Sequence, residues 1–109
     1  EALQQPLYDA VTATGFIRHT RPGAGANLEF SHITLDKLKA VDAVLSRLGV
    51  SFEETMALGD SSSDAAILRA SALGVAMGNA PENIKACAND VTELNTEDGV
   101  ALALEKYVL

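Results

Sequence analysis

The chain has one cysteine, two histidines, and only eight Lys and Arg against fifteen Asp and Glu. Each shortage removes a class of chemistry. A lone Cys87 closes no disulfide within the chain and fits a reducing compartment. It sits in an apolar-rich helical pattern, where an inert core thiol is expected. Two histidines, His19 and His32, both near a predicted hairpin, offer no Cys/His spacing for zinc. They also give no basis for a Ser-His-Asp arrangement. A net charge of −7 disfavours nucleic acid, because a phosphate backbone needs clustered Lys and Arg. No uninterrupted apolar run approaches the roughly 20 residues that span a membrane. The N-terminal EALQQPLYDA lacks the basic head and apolar stretch of a signal peptide, so a cytoplasmic location is expected.

What is present is enough apolar side chain, 48% of 109 residues, for one small domain or part of a larger one. Residues 1–13 read as a helix with Leu3, Leu7, Ala10 and Val11 on one face. Strands at 16–21 and 27–31 flank a PGAGA turn at 22–26, forming a hairpin. That turn lacks a third glycine and precedes no helix, so it is no dinucleotide loop. A helix over 35–48 carries Leu38, Val41, Leu45 and Leu48 and stops at Gly49. Ser51 with Glu54 forms a capping box. Strands at 55–59, 73–77 and 89–92 then alternate with helices at 63–70, 81–88 and 97–107, with Pro81 in the first turn of its helix. This alternation predicts an α/β fold with parallel strands, preceded by a separate layer. The boundary is placed near residue 32, giving 1–32 and 33–109.

Chemistry concentrates in Ala57–Leu68, ALGDSSSDAAIL. A short apolar strand ends at Gly59–Asp60, and Asp64 opens a helix. Strand ends of open α/β sheets are where ligands bind. Carboxylates there suit Mg²⁺, which takes a few acidic oxygens and keeps several waters. With Lys37 at the start of another helix, the set suits a phosphate. The plain alternatives are N-cap chemistry for Ser and Asp, a helix-dipole partner for Asp64, and a solvated helix lysine for Lys37.

From Leu28 onward the sequence resembles the haloacid dehalogenase (HAD) superfamily, specifically the Cof-type sugar-phosphate phosphatases. Leu28–Glu29–Phe30 matches the strand before its third motif, and Lys37 falls on that motif's lysine. Gly59–Asp60 through Asp64 matches G-D-x-x-x-D. Gly74–Val75–Ala76–Met77–Gly78–Asn79–Ala80–Pro81 matches the next strand and loop. Val91–Thr92, Asn95, Glu97, Asp98, Gly99 and Val100 match the closing segment. Leu38 stands where the family commonly has Gly, and Ser63 where it commonly has Asn.

The resemblance implies the C-terminal half of a Rossmann-like HAD core, with 1–32 the remnant of an α+β cap. It implies Mg²⁺-dependent hydrolysis of a small phosphorylated metabolite, such as a sugar phosphate. Asp60 would hold Mg²⁺. Asp64 would bind or orient the metal, or pair with Lys37. Lys37 would balance the charge of the nucleophile and the phosphoryl group. Asn79 would line the phosphate site, or serve as a turn or N-cap residue. Asn95 and Asp98 are expected to cap the last helix. On the cap strand, His19 and Arg21 share a face opposite Arg18, and solvent is their expected surrounding.

The family's nucleophile lies in a D-x-D-x-T motif, and a second motif supplies Ser or Thr; neither is found in these residues. Asp9 is followed by Ala10 and Val11 within a helical pattern. The chain is therefore expected to begin inside the cap and to be inactive alone. A homo-oligomer or a complex with a missing N-terminal fragment is the expected state. The rival reading is a non-catalytic binding or interaction protein on the same framework. An acidic receiver domain fits less well, because the lysine precedes Asp60.

Overall fold

A computed structural model describes residues 4–15, 17–20 and 29–109. The chain divides between Asp36 and Lys37 into two compact units.

In the first unit, helix α1 spans Gln4–Thr12. Strands β1, Ile17–Thr20, and β2, Glu29–His32, pair antiparallel, with Ile17 opposite His32 and Thr20 opposite Glu29. The hairpin is therefore present. Its PGAGA turn, and the side chains of Arg18, His19 and Arg21, lie outside the described residues.

The second unit begins with α2, Lys37–Leu48. Leu38, Val41 and Leu45 are half-buried and recur at helical spacing, whereas Leu48 is exposed. Gly49 follows at φ +68°, a left-handed position that glycine takes without a Cβ penalty. A 3₁₀ turn spans Phe52–Glu54. The Glu54 carboxylate accepts from the Ser51 backbone N–H at 3.0 Å and from the Ser51 hydroxyl at 3.1 Å.

Three short parallel strands follow: β3, Met56–Gly59; β4, Leu73–Ala76; and β5, Asp90–Val91. Their order is β3-β4-β5, with Gly59 beside Ala76 and Ala76 beside Val91. Among the described residues β3 therefore has a strand on one side only. Helix α3, Ala65–Ala70, connects β3 to β4; α4, Glu82–Lys85, connects β4 to β5; and α5, Gly99–Tyr107, ends the unit. The core is Leu68, Ala76, Ala80, Ile84 and Cys87, with Ala57, Ala65 and Ala88 packed against it. Cys87 is buried there, and its thiol donates to the Asn83 carbonyl at 3.1 Å.

Three residues differ from the sequence pattern. Pro81 is the N-cap of α4 and not a first-turn residue. Its carbonyl accepts from the N–H groups of both Ile84 and Lys85, so the turn begins tightly. Asp98 is the N-cap of α5 by position, but its side chain makes no cap hydrogen bond. Its backbone is left-handed, at φ 53°, and its carbonyl accepts from Leu102 N–H at 3.0 Å. Asn95 does not cap the helix either; its N–H donates to another loop. Among the described residues no helix is long and apolar enough to cross a membrane.

Candidate active site

The C-terminal ends of β3 and β4 carry the residues that the sequence singled out. β3 runs into Asp60, which is exposed. The chain turns through three serines, and Asp64 is the N-cap of α3. Asp64 is buried, at 8% exposure, yet none of its oxygens is left without a partner. Its Oδ2 accepts from the Asp60 N–H at 3.1 Å, the Ser61 N–H at 3.1 Å and the Ser61 hydroxyl at 2.8 Å. Its Oδ1 accepts from the Lys37 ammonium. One carboxylate thus ties the loop after β3 to the first residue of α2.

The packing allows this only because residue 59 is glycine. A Cβ on Gly59 would lie 2.4 Å from the Asp64 Cβ, so any side chain there would push Asp64 off the loop. The electrostatics follow from the contacts. Burial pushes the Asp64 carboxyl up, but the Lys37 ammonium, the Ser61 hydroxyl and the backbone N–H groups of Ser61 and Asp60 outweigh it. Together they hold it below the ordinary carboxylate range. Charged hydrogen bonds in a partly buried site favour the ionised form.

The Ser61 hydroxyl gives its single proton to Asp64, so its 2.8 Å contact with the Ser63 hydroxyl has Ser63 as donor. Ser63 therefore supports the loop from outside.

From the neighbouring strand end, Asn79 reaches Asp60. Its Nδ2 donates to Asp60 Oδ2 at 3.3 Å, and its Oδ1 accepts from the Asn95 N–H at 3.1 Å. Lys37, Asp60, Asp64 and Asn79 thus form two hydrogen-bonded pairs joined through the Asp60 backbone. The sequence placed Asp60, Asp64 and Asn79 in the segments that follow strands, and Lys37 at the start of a helix. It gave no signal for the Asn95 contact, which arises because Gly78 N–H also donates to the Glu93 carbonyl, at 3.0 Å, and draws the two loops together.

Among the described residues no three His, Cys, Asp or Glu side chains gather as a metal cluster. The site offers one exposed carboxylate, Asp60, whose only described partner is a neutral amide. That is a partial but chemically suitable set for a hard divalent cation, which needs one or two carboxylates and fills the rest with water or phosphate oxygens. Asp64 is more fully engaged, with three donors on Oδ2 and the Lys37 ammonium on Oδ1.

An acid, a lysine and an amide thus meet at the strand ends of a parallel α/β sheet. The haloacid dehalogenase-like hydrolase family matches residues 7–104, and this chain belongs to that family. It is 42% identical over 83 residues to the 5-amino-6-(5-phospho-D-ribitylamino)uracil phosphatase YcsE of Bacillus subtilis, covering 76% of this chain and 33% of the relative. A solved haloacid dehalogenase-like hydrolase from Bacteroides thetaiotaomicron superposes with a TM-score of 0.78 at 35% identity, over 89% of this chain and 36% of the other. A solved HAD subclass IIB sugar phosphatase superposes with a TM-score of 0.72 at 31% identity, over 95% and 40%. The chain therefore spans about a third of the length of the curated relative it matches.

Proposed function

We propose that these residues form the cation-holding and charge-balancing part of a Cof-type, Mg²⁺-dependent phosphatase site. Its substrate class is a phosphomonoester of a small metabolite, such as a sugar phosphate. The observation that carries this reading is the buried Asp64, which fixes Lys37 and the backbone of Asp60 at one strand end.

Asp60 holds Mg²⁺ through its exposed carboxylate. Bound Mg²⁺ supplies positive charge to phosphate oxygens. Lys37 places a second positive charge at the same strand end, with its side chain 56% exposed and so available to an anion. Phosphoryl transfer depends mainly on positioning and charge stabilisation, so a fixed lysine matters more than a mobile one. Asp64 orients: it holds the lysine, and its hydrogen bonds set the backbone from which the Asp60 side chain projects. Asn79 lies beside Asp60, donating to its carboxylate, where it would line the phosphate site. None of these residues supplies the covalent nucleophile, so these 109 residues are expected not to turn over substrate by themselves.

The test is a Mg²⁺ titration of the chain followed by amide NMR. The expected result is saturable shifts at Asp60, Ser61 and Asn79, with an affinity around millimolar, the regime of sparsely ligated sites. Asp60→Asn should weaken binding more than Asp64→Asn. Shifts confined to other acidic residues, or equal binding by Asp60→Asn, would remove Asp60 from the role.

A further inference from the structure

We infer that Asn79 is a positioning residue that sets the carboxylate of Asp60 and couples it to the 93–99 loop. The inference deepens the reading of Asp60 as the cation ligand, and rests on it for its functional consequence. The hydrogen bonds stand without it.

The Asn95 backbone N–H can only donate, so the atom facing it at 3.1 Å is the Asn79 carbonyl oxygen. An ionised Asp60 can only accept, so the atom facing it at 3.3 Å is the Asn79 NH₂. Both neighbours select the same orientation of the amide. Asparagine at 79 satisfies both at once. Aspartate keeps the Asn95 contact and loses the donor toward Asp60. Alanine loses both.

The anchor on the far side is firm. Gly78 N–H donates to the Glu93 carbonyl at 3.0 Å, and Gly99 N–H donates to the Leu94 carbonyl at 3.2 Å. The Thr92 hydroxyl donates to the Gly99 carbonyl at 2.7 Å. The 93–99 loop is thus stapled at both ends, and Asn79 hangs from its middle. Asp60 is exposed, and without this contact no side chain among the described residues would restrain its rotamer. Partners that orient a ligating carboxylate commonly contribute tenfold or more to metal affinity. The contact here is exposed and long, so the low end applies.

The experiment uses the 109-residue chain with isotopic labelling, in wild type, Asn79→Ala and Asn79→Asp. Without metal, the Asp60 carboxyl ¹³C resonance should move in both variants. The Asn95 amide resonance should move far more in Asn79→Ala than in Asn79→Asp. With Mg²⁺ as the probe, wild type should show the Asn95 amide responding together with Asp60. Asn79→Ala should bind roughly tenfold more weakly and lose the Asn95 response.

An Asp60 carboxyl resonance unchanged in both variants overturns the inference, whatever the metal does. So does wild-type Mg²⁺ affinity in Asn79→Ala with Asp60 still responding. If Mg²⁺ leaves Asp60 untouched while the metal-free resonances move as stated, the cation reading of Asp60 falls and the positioning contact stands.

Discussion

Replacing Asp64 with alanine should destabilise the Lys37–Leu109 unit by about 2–4 kcal/mol. The substitution removes the acceptor of two backbone N–H groups, Asp60 and Ser61, and of one hydroxyl. A polar group left without its partner costs about 1–3 kcal/mol when buried. Asp60 and Ser61 are exposed, so water recovers part of this and the low end applies to each. The Lys37 pair adds at most about 1 kcal/mol, because an ion pair with a solvated partner is screened, and the Lys37 side chain is 56% exposed.

Asp64→Asn separates these contributions. Its carbonyl oxygen keeps the three loop donors, while its NH₂ faces the Lys37 ammonium, so the expected loss is about 1 kcal/mol. Urea titration followed by circular dichroism reads both, with the slope unchanged and the midpoint shifted. Against the roughly 5 kcal/mol of a small domain, the alanine effect is large. If Asp64→Asn costs as much as Asp64→Ala, the energy resides in the ion pair and the loop argument is wrong. An unmoved midpoint in both variants refutes it altogether.

The pH dependence carries the same sign. The folded carboxyl titrates below its unfolded value. Its contribution is therefore fully present above the unfolded value and is lost as pH falls through the lowered one. Wild type should lose this stability in acid, and Asp64→Asn should lack that component.

Gly59→Ala should cost about 1–3 kcal/mol, the usual range for overpacking, because the new methyl would meet Asp64. Amide NMR should show Ser61 displaced, and a spectrum unchanged outside residue 59 would refute the clash. The chain should not hydrolyse a panel of sugar phosphates with Mg²⁺; turnover that survives repurification and vanishes in Asp60→Ala would sink this. We propose that the chain associates, with a second copy or another fragment, because β3 pairs on one side only among the described residues and an open parallel edge invites pairing. Light scattering across a concentration series checks it, and a monodisperse 11.4 kDa particle would show that the edge is closed within the chain.

The sequence by itself carried the order of elements. Periodicity marked α2, apolar runs between turn residues marked β3 and β4, and Gly49 marked the end of α2, because these signals are local. The G-D-x-x-x-D turn and Lys37 were legible for the same reason: strand ends and helix starts follow from pattern. Ser51 and Glu54 likewise met where a three-residue spacing puts them.

Tertiary structure alone decided who holds whom. Asp64 could have been a cation ligand, a helix cap or a partner of Lys37 on the sequence. The fold brings Lys37, 27 residues away, onto one of its oxygens and the loop onto the other. Asn79 was legible as a loop residue but not as a link, since its partners lie 19 residues before it and 16 after it. Pro81 and Asp98 were placed at helix starts by pattern, yet how each begins its helix depended on backbone angles that the surrounding loops impose. Local signals fix where elements form. Contacts between distant strand ends depend on how those elements pack, and no spacing along the chain encodes that.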